Sequence, residues 1–304
     1  MGQLEDMTVF IRVVEAGGIS KAAEQLGMAK SAVSRRLVEL ETRLGVKLLN
    51  RTTRTSSLTE AGEQYYERSV RIADDVSELN ALTMDANVAL AGNINLAAPL
   101  SFGISHLSSA IDQFVTEHPG IHINIDFSDR KVDLVEEGLD LAFRIARLED
   151  SSLVARRICP IRVMICASPA YLDKHGEPKT LQELQQHQLL HYNMTGSRHW
   201  LLVDKEGKQH KIKVNHRIEA NNGEFLKHMA IAGHGIVATP TFISWQALEQ
   251  RQLVPIMKDY QPLPVNAYAV YPGNRYLSQR LRKFIDFLAE RFGDNPYWDN
   301  HVGL

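Results

Sequence analysis

The chain is 304 residues long and 44% hydrophobic, enough for two or three domains with real cores. Its formal net charge of −2 excludes a protein coated in positive charge, and two cysteines, Cys159 and Cys166, exclude a disulfide framework. No apolar run approaches the roughly 20 residues that span a bilayer, and Met1-Gly-Gln-Leu-Glu-Asp6 lacks the features of a secretion signal, so a cytoplasmic protein with no membrane partner is expected.

Leu4, Met7, Phe10, Ile11 and Val14 recur at helical spacing and predict a first helix ending near Ala16-Gly17-Gly18. Ser20 reads as the N-cap of a short second helix over 21–26, with Ala22, Ala23 and Leu26 inward and Gly27 as the turn beyond it. A third helix starts near Lys30 or Ser31. Its Val33, Leu37, Leu40 and Leu44 line one side, and Ser31, Ser34, Arg35 and Val38 fall on the other.

Helix, glycine turn and second helix with a polar outer face form a helix-turn-helix, whose second helix enters the major groove. Serine hydroxyls and a bidentate arginine suit base edges or phosphates there. From Val46 to Thr59, β-branched and hydroxyl residues, Thr53 among them, surround Arg51 and Arg54, as in a basic hairpin wing. Between Lys30 and Arg54 seven Lys/Arg stand against two Glu, a local +5 that fits either a polyanion partner or a solvated face.

Thr59, or Ser57 with Glu60 three residues on, caps a helix predicted to reach about Leu90, on the order of 45 Å long. Tyr65, Ile72, Leu79 and Ala86 are spaced by sevens, as are Ser69, Val76, Thr83 and Leu90. Such a stripe packs either on its own domain or against a second copy, and a dimer is the reading adopted.

Beyond Asn93 strands and helices alternate. Strands are expected at 94–99, 121–128, 139–146, 162–168, 235–240 and 266–272, and helices at 101–117, 131–138, 224–233, 241–250 and 278–292. This pattern implies a parallel α/β architecture with ligands at the C-terminal ends of strands. Ser101, Phe102, Ser128, Asn221, Asn222, Gly223 and Thr239 fall at such ends or at helix starts, where N–H groups and hydroxyls favour an anion, although the same residues serve equally as caps. Arg144 suits a carboxylate ligand, or a structural ion pair with Asp129 or Glu137. The twelve histidines form no metal-binding spacing, and GxSxG, GxGxxG and P-loop patterns are absent. Neither an enzyme, a metal nor a cofactor is expected.

The segment GGISKAAEQLGMAKSAVSRRLVELETRLGVKLLNRTTRTSSLTEAGEQYY closely resembles the N-terminal part of LysR-type transcriptional regulators. The segments DLVEEGLDLAFRIARLEDSSLVARRI, ASPAYLDKHGEP and FIDFLAERF resemble their effector domain. The resemblance implies a helix-rich winged helix-turn-helix over 1–58, a linker and dimerisation helix over 59–91, and an α/β two-lobed effector domain of the type 2 periplasmic-binding-protein fold over 92–304. One lobe would take 92–161 and 266–304, the other 162–265, with hinges near Pro160–Val163 and Pro262–Asn266. Carried over, the DNA-facing residues are Lys30, Ser31, Ser34, Arg35, Arg51, Thr53 and Arg54. Many members carry Gln-Pro where this chain has Lys30-Ser31, which leaves the base preference of the first recognition turn open. The implied partners are promoter DNA with a two-fold-related site, a small effector between the lobes, further copies as a dimer or dimer of dimers, and RNA polymerase.

Overall fold

The computed structural model describes residues 2–51, 56–83, 90–134, 136–147, 153–196, 198–272 and 277–300. The chain divides into two compact units, Met1–Ala89 and Leu90–Leu304.

In the first unit, α1 (Gln3–Glu15), α2 (Ile19–Gln25) and α3 (Lys30–Leu44) precede a hairpin of β1 (Leu49–Arg51) and β2 (Ser56–Leu58), then α4 (Glu60–Thr83). Phe10, Val13, Ala22, Ala23, Val33, Leu37, Leu40 and Leu48 form its core. The expected inward residues of α2 and α3 are buried or partly buried, whereas on α1 Leu4 is exposed and Val9 and Val13 join the core in addition to Phe10. The small alanines of α2 let the helices approach closely. Ser20 is not a cap. The Gly18 carbonyl accepts from the Ala22 amide, so α2 starts at Ile19, and no side chain caps it. Thr59 does cap α4: its Oγ1 accepts from the Gly62 amide at 2.9 Å and donates to the Lys47 carbonyl at 2.7 Å. Gly62 is required by close approach, since a Cβ there would lie 2.0 Å from the Leu48 carbonyl oxygen. The predicted extension of α4 through 84–89 lies outside the described residues.

The second unit opens with β3 (Ala91–Ala98) and an unbroken helical run: α5 (Leu100–Phe102), one π-helical turn (Gly103–Leu107) and α6 (Ser108–Glu117). Then come β4 (Gly120–Phe127), β5 (Leu141–Ala146) and β6 (Leu153–Ile161). After the crossover at Arg162 follow β7 (Val163–Ala167), α7 (Pro169–His175), α8 (Leu181–Leu184), β8 (Leu189–Tyr192), β9 (His199–Asp204), β10 (Gln209–Lys213), β11 (Glu219–Ala220) and α9 (Gly223–Ile231). The chain continues through β12 (Ile236–Pro240), α10 (Thr241–Glu249), β13 (Val254–Pro255) and β14 (Tyr260–Pro262), and returns with β15 (Val265–Pro272) and α11 (Gln279–Phe292).

One lobe is the sheet β4-β3-β5-β15-β6; the other holds β11-β8-β12-β7-β13, with a small antiparallel sheet β10-β9-β14 beside it. The sheets are mixed rather than parallel. β15 runs antiparallel to β5 and β6, and β7 antiparallel to β12 and β13, because each of these strands is reached by a lobe crossover or a short return instead of a helical βαβ connection.

Where a helix was expected over 131–138, no helix is found among the described residues. Glu137 donates its amide to the Asp133 carbonyl, but its carboxylate folds back onto the Asp133 amide and the Arg130 guanidinium, and Gly138 turns left-handed at φ 70°. α10 follows a strand of the second lobe yet places Phe242 and Ile243 in the core of the first, with Phe102, Phe143, Phe292 and Trp298. At the crossover, the Thr241 amide donates to the Arg162 carbonyl at 2.9 Å, and the Arg162 guanidinium pairs with Asp299.

Candidate nucleic-acid interface and effector cleft

On α3 the outer face is solvent-exposed at Lys30, Ser31 and Arg35, half-buried at Ser34, and exposes Val38 at 39%. The Arg35 side chain is 69% exposed, with its Nε 3.8 Å from Glu39 one turn on. The other basic residues nearby behave differently. Arg36 bonds Glu5 at 3.0 Å and Asp6 at 3.3 Å, Arg43 also reaches Asp6, and Lys47 bonds Glu41 at 2.8 Å. Asp6 and Glu41 are both buried. Three of the seven cations therefore hold the unit together, and among the described side chains the remaining positive charge lies on the α3 outer face, at Lys30 and Arg35. Arg51 closes β1 opposite Ser56, while Thr53 and Arg54 lie outside the described residues.

Glu41 was not foreseen as an organiser. Its Oε1 accepts from the Leu48 and Leu49 amides at 3.0 and 3.3 Å, tying the base of the hairpin to α3. Burial acts to raise its carboxyl, and the Lys47 ammonium and the two amides outweigh that, so it sits below the ordinary glutamate range.

In the second unit, the C-terminal ends of β3 and β4 meet those of β8 and β11. Two predicted residues come together here: Asn222 Nδ2 donates to Ser101 Oγ at 3.4 Å, a hydrogen bond from one lobe to the other. Asn222 Oδ1 simultaneously caps α9 by accepting from the Phe225 amide at 2.9 Å. Gly223 fits where a Cβ would lie 2.6 Å from Ile243 Cδ1, and Asn221 is exposed.

Other predicted residues have structural surroundings. Phe102 is fully buried, stacked on Phe143 at 4.6 Å and edge-on to Phe242, Phe292 and Trp298, so it is core and not a cleft surface. Ser128 donates its amide to the Ala98 carbonyl, and its Oγ accepts from the Arg130 amide, closing a turn after β4. Thr239 is buried within β12 opposite Met164.

Arg144 makes neither of the expected ion pairs. Its Nη2 donates to the Val132 carbonyl at 2.7 Å, and Glu137 is taken by Arg130, which holds that carboxyl at about 2. By strand alternation Arg144 shares the sheet face of Ala142, opposite Phe143 and the helix that carries Ser101. Burial lowers its guanidinium pKa, and among the described residues no carboxylate lies within ion-pair distance.

Asp129 and Tyr192 join the cleft without having been predicted there. Burial holds the Asp129 carboxyl above the ordinary aspartate range, with the Leu100 amide at the start of α5 acting in the opposite direction. From the other lobe, Tyr192 is raised to about 12 by burial and by the negative charge of Asp129.

Burial raises both Cys159 and Cys166 to about 12, far from a reactive thiolate. Among the described residues no group of three His, Cys, Asp or Glu could hold a metal ion, and no helix is long and apolar enough to cross a membrane.

Two family models match: the bacterial regulatory helix-turn-helix protein, lysR family, over residues 4–63, and the LysR substrate binding domain over 88–293. The HTH-type transcriptional regulator CrgA of Neisseria meningitidis serogroup B is 36% identical over 293 residues, 96% of this chain and 97% of that protein. The HTH-type transcriptional regulator DmlR of Escherichia coli K12 is 32% identical, covering 96% and 95%. Among solved structures, CrgA, a LysR-type transcriptional regulator from Neisseria meningitidis, aligns with TM-score 0.61 and 36% identity over 95% of this chain and 99% of that one. The Vibrio cholerae virulence activator AphB aligns with TM-score 0.58 and 28% identity over 95% and 99%. A helix-turn-helix unit followed by a two-lobed α/β unit, each matched by its own family model, makes this chain a member of the LysR-type transcriptional regulators, with an effector-binding substrate domain.

Proposed function

We propose that this regulator reads promoter DNA with the outer face of α3 and the adjoining hairpin, and that a small carboxylate bound between the lobes adjusts its action. The observation that carries the first part is the division of basic residues. Arg36, Arg43 and Lys47 are engaged by the buried Asp6 and Glu41, whereas Lys30 and Arg35 face solvent beside two serine hydroxyls, Arg35 with the exposed Glu39 near it. Ser31, Ser34 and Arg35 set base preference, and Lys30 with Arg51, Thr53 and Arg54 supplies backbone contacts and salt dependence. Residues 1–58 act as the DNA-binding domain, 59–91 as the linker and dimer helix, and 92–304 as the effector domain, with lobes 92–161 plus 266–304 and 162–265.

Self-association through α4 is supported by Ile72, exposed at 47% in the seven-residue stripe, while Tyr65 packs back onto Phe10. A dimer presents two reading heads to a two-fold-related site, and pairing of dimers and contact with RNA polymerase follow the family habit. For the effector, Ser101 and Asn222 offer a hydroxyl and an amide at the lobe junction. Arg144 gives the C-terminal end of the first sheet a positive charge that no carboxylate among the described residues cancels.

The test is binding to the DNA upstream of the protein's own gene, titrated across salt, for wild type and Arg35→Ala. Tight, salt-steep binding by wild type, with the variant losing about 1–3 kcal/mol of discrimination against scrambled DNA, is expected. Binding no tighter than to scrambled DNA, unchanged in the variant, would refute the assignment. For the cleft, Arg144→Ala is expected to abolish the effector response while DNA binding survives.

A further inference from the structure

Resting on the reading of the cleft as the effector site, we infer that Asp129 is its second charge-reading group, and that the effector presents an ammonium to it as well as a carboxylate elsewhere. The ligand class is therefore a small amino acid or a similar zwitterion. The argument begins with the turn after β4. The Ser128 amide bonds the Ala98 carbonyl at 3.0 Å and Ser128 Oγ accepts from the Arg130 amide at 3.2 Å, which fixes Asp129 beside the C-terminal end of β3. There the Leu100 amide acts to lower its carboxyl pKa, and burial outweighs it. Ser101, the next residue, holds the hydrogen bond from Asn222 of the opposite lobe.

Asp129 is half-buried, yet among the described residues no cation lies within ion-pair distance of it. The nearest candidate in sequence, Arg130, is committed to Glu137 and lies 3.8 Å from Asp126. A carboxylate taken partly out of water with no cation beside it is left with its desolvation uncompensated, and burial accordingly holds it above the ordinary aspartate range. An anion-only ligand would make this worse, because a second carboxylate beside Asp129 adds repulsion. A cationic donor removes the deficit with a charge-assisted hydrogen bond. Arg144, on β5, and Asp129, in the turn that follows β4, thus leave one uncancelled charge of each sign toward the same end of one sheet, on either side of β3, the arrangement that a molecule with both charges satisfies.

The experiment uses the full-length protein and three matched probe series of three to five carbons: amino acids, the corresponding hydroxy acids and the corresponding plain acids. Binding is measured by calorimetry for wild type, Asp129→Asn and Ser101→Ala. Asparagine keeps an acceptor for the Leu100 amide, so the variant is expected to unfold at or above the wild-type temperature. Amino acids are expected to bind wild type at least tenfold more tightly than plain acids, with hydroxy acids between, and Asp129→Asn is expected to erase that order while plain acids still bind. Plain acids binding as tightly as amino acids, or an amino-acid preference that survives Asp129→Asn, would overturn the inference and leave the cleft reading standing. If no series binds, or if Ser101→Ala leaves every affinity unchanged, the cleft reading itself fails.

Discussion

Replacing Glu41 by alanine tests how the DNA-reading unit is held together. The side chain is 3% exposed and its Oε1 serves two amides, those of Leu48 and Leu49, which are themselves buried. Alanine leaves both without this acceptor. A buried amide stranded in this way costs about 1–3 kcal/mol, and since Leu49 also belongs to the β1–β2 hairpin, roughly 2–4 kcal/mol in total is expected. For a unit the size of Met1–Ala89, each kcal/mol moves the melting midpoint by about 4–8 °C, so the drop is on the order of 10–30 °C.

All three tryptophans, Trp200, Trp245 and Trp298, lie in the other unit, so tryptophan emission follows that unit while calorimetry follows both. Glu41→Ala is expected to move the calorimetric transition of the first unit and leave the fluorescence midpoint in place. Glu41→Gln, which keeps a carbonyl oxygen for the amides, is expected to recover most of the loss. A first-unit transition within about 0.5 kcal/mol of wild type would refute the reasoning. Because the folded carboxyl lies below its unfolded value, the contribution is complete above the ordinary glutamate range and drains away as pH falls through the folded value.

Phe102→Ala is expected to cost about 3–5 kcal/mol of second-unit stability, read from the tryptophan midpoint; a loss under about 1 kcal/mol would return Phe102 to the cleft surface. Burial lowers the His106 pKa, and its ring bonds the Phe242 carbonyl and Tyr297 hydroxyl, so the unfolded chain binds the proton more readily. Stability is then lost as pH falls below the ordinary histidine value, by at most about 1.4 kcal/mol per pH unit for this residue. His106→Gln is expected to flatten the slope between pH 7 and 5, and an unchanged slope would exclude the assignment. Cys159 and Cys166 are expected to react with an aromatic disulfide reagent only on unfolding. Labelling of the native protein within minutes at pH 8 would show that the thiols open locally.

The two faces of α3 were legible because a helix of fifteen residues repeats its apolar side often enough to fix the phase. The meaning of its charge was not. Counting cations along the chain cannot register that Asp6, on α1, takes Arg36 and Arg43, since those pairs exist only after α1 crosses α3. The same limit divides Ser101 from Phe102. Both follow β3 at a helix start, and only the packed sheet decides that the phenyl ring goes into the core while the hydroxyl meets Asn222. Asp129 was legible only as a possible partner for Arg144; its contact with the Leu100 amide depends on the turn at Ser128. The strand β6 and the strands β8 to β11 were missed for a different reason: β8 and β11 are short, and β6, β10 and β11 lie at sheet edges where the apolar alternation is weak.

These contacts also bear on how an effector could act. A hinge of two free strands would let the lobes swing apart, but α10 belongs to one lobe by connection and to the other by packing. His106 holds its Phe242 carbonyl at 3.0 Å, Thr241 holds the crossover at Arg162, and Arg162 is itself paired with Asp299. A wide opening would have to extract Phe242 from an aromatic cluster, at several kcal/mol on the scale of core phenylalanines. The Ser101–Asn222 bond is a single long contact at 3.4 Å, cheap to exchange for a ligand. If the effector binds at the proposed cleft, the contact it can displace at low cost is Ser101–Asn222, whereas α10 is held by Phe242 in the core of the other lobe.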